Sequence, residues 1–218
     1  MALEAVVQAD ASNARAWVML GATQAECDAD GLAIAALRRC VETSISLRTP
    51  GASSSATAGP MGDSASHAAA AKRLPATEHV LQGLLLLAVS YTNELDSSRA
   101  LDFLRRWVDA HPQFSNVASV SVDISVGPDP HEALVSRLMA VARAHPRDAD
   151  VQLALGVLHN LSRSYDLAAA AFREALRLRP NDYQLWNKLG ATCANGGEAR
   201  EALAAYRRAV ELKPQYVR

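Results

Sequence analysis

A repeat with a 34-residue step near the C-terminus is the feature that most limits what this 218-residue chain can fold into. Small, aromatic and proline residues recur at this step as Leu155-Gly156 and Leu189-Gly190, Ala168 and Ala202, Phe172 and Tyr206, Ala175 and Ala209, and Pro180 and Pro214. A period of this length is typical of paired antiparallel helices that stack on the next pair. The sequence therefore predicts an all-α fold, a right-handed superhelix of stacked helical hairpins.

Each of the recurring residues has a steric role in such a hairpin. Gly156 and Ala168 are small enough for the two helices to approach closely, and Phe172 fills the remaining space. Pro180 lacks an amide hydrogen and disfavours helix in the residue before it, so it marks the end of the second helix. An ordinary helical bundle with a chance apolar period is the alternative, and the number of coincident positions favours the tetratricopeptide repeat (TPR).

The same frame divides most of the chain into repeats. The predicted repeat units are 1–47 (one helix of a preceding unit and a first TPR), 76–114, 149–182 and 183–216. Residues 48–75 are rich in Ser, Ala, Gly and Pro, so they cannot bury enough apolar surface to offset chain entropy, and we expect a disordered insertion. Residues 115–148 are predicted to form a degenerate hinge repeat, because β-branched residues and prolines interrupt its first helix. We expect the chain to be a piece of a longer protein.

Composition excludes several classes of protein. Half of the residues are apolar, and 22 basic residues balance 23 acidic ones. This balance argues against nucleic acid as the main partner, because binding to phosphates needs clustered Lys and Arg. No apolar run approaches ~20 residues, so no membrane span is predicted. Three cysteines without metal-ligand spacing are typical of a reducing compartment.

Catalytic motifs are missing from the sequence. We find no glycine-rich phosphate loop, nucleophile elbow or paired-histidine zinc motif, so we expect neither an enzyme nor a cofactor. His67, His79 and His111 lie in predicted loops or beside prolines and are expected to be exposed. His159 lies on a first repeat helix, where we expect a packed imidazole rather than a catalytic one.

Asparagines are the candidate binding residues. Counted from the start of each unit, Asn93 and Asn195 occupy position 13, Asn160 position 12 and Asn187 position 5, all expected on the concave face. A carboxamide donates and accepts hydrogen bonds, so a ladder of them can pair with the backbone of an extended peptide. The alternative is that asparagine simply caps or ends these helices, as the turn Asn195-Gly196-Gly197 could indicate.

Longer strings of residues resemble the TPR domain of the peroxisomal import receptor (peroxin-5) family. They are Leu20–Glu26, Ala88–Glu94, Gly156–Ser162, Arg179–Tyr183, Leu185–Thr192 and Ala194–Gly196. The resemblance covers essentially all of the part that is predicted to fold. Residues 115–148 also resemble the hinge that separates two triplets of repeats in that family.

The resemblance implies a receptor that binds the C-terminal targeting peptide of cargo proteins, Ser-Lys-Leu or a close variant. Such a receptor is cytoplasmic, cycles to the membrane of the peroxisome or glycosome, and meets membrane docking proteins through regions outside this sequence. The family's peptide contacts carry over to Asn93, Asn160 and Asn195, and on weaker grounds to Asn187 and Lys188. Glu26, together with Asp28, is implied to face the basic penultimate residue of the signal, where a carboxylate would select Lys or Arg.

Two departures from the family qualify the resemblance. Cys27 stands where relatives carry asparagine, and the 48–75 insertion is long. A further repeat, which we expect after Arg218, would supply more contacts to the terminal carboxylate of the signal.

Two functions of other classes stay open at this point. A co-chaperone adaptor that binds the acidic C-termini of heat-shock proteins would need a ring of Lys and Arg on the concave face, where Lys188 is the only clear candidate. A structural scaffold without peptide specificity is the third possibility.

Overall fold

A computed structural model describes residues 2–27, 29–46, 78–114 and 129–215. Within these ranges the chain forms ten α-helices and no β-strand. They are α1 (Ala2–Ala9), α2 (Ala14–Glu26), α3 (Asp30–Ser46), α4 (Glu78–Asn93), α5 (Ser97–Ala110), α6 (Pro130–Ala144), α7 (Ala149–Leu161), α8 (Tyr165–Leu178), α9 (Tyr183–Asn195) and α10 (Ala199–Leu212). The predicted 48–75 insertion, most of the first half of the predicted hinge repeat, and Asp28 lie outside the described residues.

The helices pack as pairs, and the pairs stack on one another. Helices α2 and α3, α4 and α5, α7 and α8, and α9 and α10 form the pairs. Helix α3 packs against α4, α8 against α9, and α6 against α7, while α4 also reaches α7. The predicted all-α TPR fold is therefore confirmed, although the exact repeat boundaries stay a prediction. None of the helices in the described ranges has the length and apolar character that a membrane span requires.

Capping residues and prolines set the ends of the helices in the last two repeats. The side chains of Asp148 and Asp182 accept hydrogen bonds from backbone N–H groups in the first turns of α7 and α9. Each such cap contributes about 1 kcal/mol. Helices α8 and α10 end two residues before Pro180 and Pro214, as the sequence predicts.

The glycines of the repeat mark the closest approach of paired helices. A Cβ atom added to Gly156 would lie 2.4 Å from Cε1 of Phe172, and one added to Gly190 would lie 2.7 Å from Cδ1 of Tyr206. Both distances are shorter than atoms can approach without displacement. The predicted steric pairing of small residues with aromatic rings is therefore present in both repeats.

We expect Gly156→Ala to lower the free energy of unfolding by about 1–3 kcal/mol, because the added methyl group overlaps the buried ring of Phe172. Gly31, in the first turn of α3, provides the matched control, since nothing lies within 4 Å of a Cβ added there. Gly31→Ala should raise the stability by up to about 1 kcal/mol through helix propensity. Urea unfolding followed by circular dichroism compares the two variants, and equal effects would contradict the close approach.

An aromatic cluster at the end of α5 corrects one expectation about the histidines. His111 was expected to be exposed, but it is half-buried and its ring stacks on Phe114 with 3.6 Å between ring centroids. Pro112 does follow the end of α5, yet the turn after it folds back and buries Phe114 against Trp107. Burial lowers the pKa of the His111 imidazole.

The other three histidines of that prediction have different outcomes. His79 was expected to be exposed in a loop but lies half-buried within α4, next to the buried Val80. His159 is half-buried on α7, and burial lowers its pKa. His67 lies outside the described residues.

Candidate peptide-binding groove

The first helices of three repeats enclose a cavity of about 610 Å³. Its polar lining includes Thr92, Asn93, Asn160, Asn187 and Lys188 on α4, α7 and α9, and Tyr206 on α10. Its apolar lining includes Val89, Val157 and Ala191 on the same helices and Val210 on α10. A volume of this size is typical of a ligand-binding pocket. The structure thus brings three of the four predicted asparagines into one cavity.

Asn160 is held in place by the next repeat. Its Nδ2 donates a hydrogen bond to Oγ1 of Thr192 at 3.0 Å. The same Thr192 oxygen lies 3.3 Å from Oδ1 of Asn160, to which the hydroxyl can donate. Thr192 is almost completely buried on α9. A carboxamide has two N–H donors and an oxygen with two lone pairs, so this contact leaves Asn160 with capacity for a ligand.

Asn93 is held by the preceding helix pair. Its Nδ2 lies 3.2 Å from both carboxylate oxygens of Asp30, which is buried at the start of α3. Asn93 and Asn160 are therefore both oriented by a side chain of an adjacent repeat. This arrangement fixes two carboxamides before any ligand arrives.

The remaining predicted residues lie at different heights of the groove. Asn187 and Lys188 line the cavity from the first half of α9. Asn195 is the last residue of α9, is exposed, and is not among the residues that line the cavity. Gly197, two residues later, has a φ of +85°. Asn195 therefore begins the turn that ends the helix, which is the alternative role that the turn Asn195-Gly196-Gly197 indicated.

Glu26 lies at the C-terminal end of α2 and contacts residues much later in the chain. Its carboxylate accepts hydrogen bonds from the hydroxyl of Tyr183, from Nε2 of Gln184 at 3.1 Å and from Nζ of Lys213 at 2.5 Å. Glu26 and Gln184 also line a narrow cavity of about 20 Å³, which shares Val89, Asn93 and Lys188 with the larger one. Glu26 therefore adjoins the groove.

The charges of this contact are stable near neutral pH. Partial burial raises the pKa of Glu26, but hydrogen bonds from Lys213, Tyr183 and Gln184 and the charge of Lys213 outweigh it. The pKa of Glu26 consequently lies below its ordinary value. The hydrogen bond to Glu26 raises the pKa of Lys213. Glu26 is thus a carboxylate and Lys213 an ammonium at pH 7.

Positive charge is sparse in the groove. Among the described residues that line the cavity of about 610 Å³, Lys188 alone carries a positive charge. Within the same ranges, no group of three His, Cys, Asp or Glu side chains is arranged to hold a metal ion. The lining is suited to hydrogen bonding with neutral groups rather than to clamping several carboxylates.

Several residues of the site were not predicted from the sequence. Thr192 and Asp30 form hydrogen bonds with the asparagines. The sequence offered little indication of this role, because Thr192 only belongs to a resembling string and Asp30 only begins a helix. Tyr183 ends one of the resembling strings, but both Tyr183 and Gln184 follow the cap Asp182 and are typical of an ordinary first turn. Lys213 carried no signal beyond its position before Pro214.

Comparison with known proteins supports the resemblance found in the sequence. Residues 135–183 and 162–217 match the family model of the tetratricopeptide repeat. The whole chain is 32% identical over 220 residues to the peroxisomal targeting signal receptor of Eremothecium gossypii, of which it covers 32%. A match to the peroxisomal targeting signal 1 receptor of Dictyostelium discoideum is 42% identical over 114 residues. It covers 49% of this chain and 18% of the relative. Along its whole length the chain is similar to peroxisomal targeting signal receptors.

This similarity to peroxisomal targeting signal receptors confirms the resemblance of the strings described above. The chain is also 33% identical over 211 residues to the PEX5-related protein of Homo sapiens, and this match covers 91% of the chain and 28% of the relative. The chain spans about a third of the length of these receptors.

Proposed function

We propose that this chain binds the C-terminal Ser-Lys-Leu-type targeting signal of cargo proteins in the groove between α4, α7 and α9. Binding is reversible and non-catalytic, and it serves the delivery of cargo from the cytoplasm for import into the matrix of the peroxisome or glycosome. The observation that carries the proposal is the cavity lined by Asn93, Asn160 and Asn187 in a chain that is similar along its whole length to peroxisomal targeting signal receptors. Docking proteins at the organelle membrane would contact regions of the receptor outside this chain.

The geometry of the groove suits an extended peptide. The carboxamides of Asn93 and Asn160 can pair with the N–H and C=O groups of the peptide backbone. Because Asp30 and Thr192 already fix these side chains, little conformational entropy is lost on binding. The apolar lining from Val89, Ala191 and Val210 offers a place for the leucine of the signal.

We place the selection of the basic penultimate residue of the signal at the edge of the groove. Glu26 supplies a carboxylate there, and a partly desolvated ion pair would favour Lys or Arg over acidic residues. Asn187 and Lys188 are proposed contacts from α9, and Asn195 a contact at the margin of the groove. Asp28 remains a proposed partner of Glu26 from outside the described residues.

The division of the chain belongs to the same proposal. We infer that 48–75 is an insertion between the first two repeats and that 115–148 is a hinge repeat between two blocks of repeats. The co-chaperone alternative receives no support, since it requires several cations around the groove, whereas Lys188 is the single cation that lines it among the described residues.

We expect Asn160→Ala to weaken binding of a labelled peptide ending in Ser-Lys-Leu by about 5- to 150-fold, equivalent to about 1–3 kcal/mol for a hydrogen bond lost in a buried groove. Fluorescence anisotropy measures the affinity. Asn181→Ala is the matched control, because Asn181 is exposed in the turn between α8 and α9 and lies outside the cavity; its affinity should not change.

A second comparison tests the whole proposal with the unaltered chain. A peptide with an amidated C-terminus should bind much more weakly than the free carboxylate. If the free peptide shows no carboxylate-dependent binding, the receptor function of this chain is wrong. If Asn160→Ala binds as tightly as Asn181→Ala, the carboxamide clamp is wrong although the receptor function stands.

A further inference from the structure

A site that fits a primary ammonium lies where α2, α9 and α10 meet. Nζ of Lys213 is 2.5 Å from Oε2 of Glu26 and donates to the hydroxyl oxygen of Tyr183 at 3.0 Å. It also lies 4.5 Å from the centroid of the Tyr183 ring, within the range of a cation–π interaction. Carboxylate, phenol oxygen and aromatic face thus converge on one positive charge.

The parts of this site are linked to each other as well as to the ammonium. The Tyr183 hydroxyl donates to Oε1 of Glu26, and Nε2 of Gln184 donates to the same oxygen at 3.1 Å. The carboxylate is therefore held from two sides, with its second oxygen turned to Lys213. The site is built from α2 and α9, whereas its occupant follows the end of α10.

The site is continuous with the groove. Glu26 and Gln184 line the narrow cavity of about 20 Å³ that shares Asn93 and Lys188 with the larger cavity. Both oxygens of the Glu26 carboxylate already have partners, since Oε2 faces Lys213 and Oε1 accepts from Tyr183 and Gln184. A basic side chain that entered from the groove would therefore have to replace Lys213 in order to pair with Oε2.

We propose that Lys213 is an internal competitor of the targeting signal: it occupies the ammonium site of Glu26 and Tyr183, and the basic penultimate side chain of the bound signal displaces it. This inference rests on the proposed function and adds Tyr183 and Lys213 to it. Because Lys213 occupies the site in part of the molecules, the apparent affinity for the signal equals the intrinsic affinity multiplied by the fraction of molecules in which the site is open. Signals with a neutral penultimate residue gain nothing from displacing Lys213.

Exchange of one ammonium for another is physically reasonable at this position. The Lys213 side chain is 37% exposed and that of Glu26 is 25% exposed. Solvent therefore screens the ion pair in part, and the displaced ammonium is hydrated as soon as it leaves. The carboxylate remains paired in both states, so no buried charge is left without a counterion.

The test compares two labelled peptides, one ending in Ser-Lys-Leu and one with norleucine in place of the lysine, by fluorescence anisotropy. Lys213→Met removes the ammonium but keeps an unbranched side chain. We expect it to tighten binding of the lysine peptide by about 3- to 30-fold and to leave the norleucine peptide unchanged. Arg208→Met is the matched control, because it removes one positive charge from exposed α10 surface, where Arg208 pairs with Glu211.

A second variant separates competition from a general change of charge. In the presence of Glu26→Gln, the Lys213→Met substitution should give no gain, because neither ammonium then finds a carboxylate. If the unaltered chain binds the lysine peptide and Lys213→Met binds it equally or more weakly, the competitor role is overturned while the receptor function stands. If no variant binds either peptide, the receptor function is overturned and the competitor role falls with it.

Discussion

Replacing Phe172 with alanine should lower the free energy of unfolding by about 3–5 kcal/mol, the range for truncation of a buried phenylalanine. The ring is 0% exposed and lies directly against Gly156 of the paired helix. Its removal leaves a cavity between α7 and α8 that the rigid helices can close only in part. Urea unfolding followed by circular dichroism measures the loss.

Leu167→Ala is the control for this substitution. Leu167 lies on the same helix as Phe172, but its side chain is 57% exposed, so the change in free energy should stay within about 0.5 kcal/mol. The contact with Gly156 adds a sharper criterion. Gly156→Ala should be less destabilising in the Phe172→Ala background, with a coupling of about 0.5–3 kcal/mol. Additive effects would show that the two residues do not share the close approach.

Phe114→Ala should have an effect of similar size, about 3–5 kcal/mol. Phe114 is fully buried, stacks on His111 at 3.6 Å and meets Trp107 edge-on at 5.5 Å between ring centroids. It also lies 5.3 Å from the ring of His145, which follows α6. The side chain thus joins the end of α5 to the start of the next helix pair, and its loss removes contacts on both sides.

The neighbouring Gln113 gives the control for Phe114. Its side chain is exposed in the same turn, so Gln113→Ala should change the free energy of unfolding by no more than about 0.5 kcal/mol. Thermal and urea unfolding of both variants can be compared directly. A loss below about 1 kcal/mol for Phe114→Ala would mean that the aromatic cluster is not part of the core.

Packing within a helix pair could be predicted from the sequence because its contacts are local and repeat. Gly156 lies 16 residues before Phe172, and helical geometry alone brings two such positions together when a short turn joins the helices. The 34-residue period then places Gly190 and Tyr206 in the same relation. Pro180 and Pro214 fixed the helix ends for an equally local reason, the missing amide hydrogen.

The outline of the groove was less predictable, because it depends on how the helices cross. Asn93 and Asn195 hold the same position in their repeats, yet only Asn93 lines the cavity. Helix α4 contributes residues near its C-terminal end to the cavity, whereas α9 contributes residues near its start. The groove therefore runs obliquely across the helices, and a fixed position in the repeat does not correspond to a fixed height in the groove.

The partners of Glu26 could not be predicted from local sequence patterns. Tyr183 lies 157 residues away in sequence and Lys213 lies 187 residues away. Which residues meet across the superhelix depends on the rotation that accumulates from each repeat to the next. A small change in that rotation would place a different side chain opposite Glu26. No sequence motif indicates the size of the rotation.

The contact between α2 and the α9–α10 repeat affects how the stack of repeats can unfold. In a linear solenoid each repeat touches only its neighbours, so a terminal repeat can fray without disturbing the other end. Here the end of α2 is joined to Tyr183 at the start of α9 and to Lys213 beyond α10. Unfolding of either α2 or α10 therefore breaks the same ion pair, and amide hydrogens of the two helices should exchange as one cooperative unit.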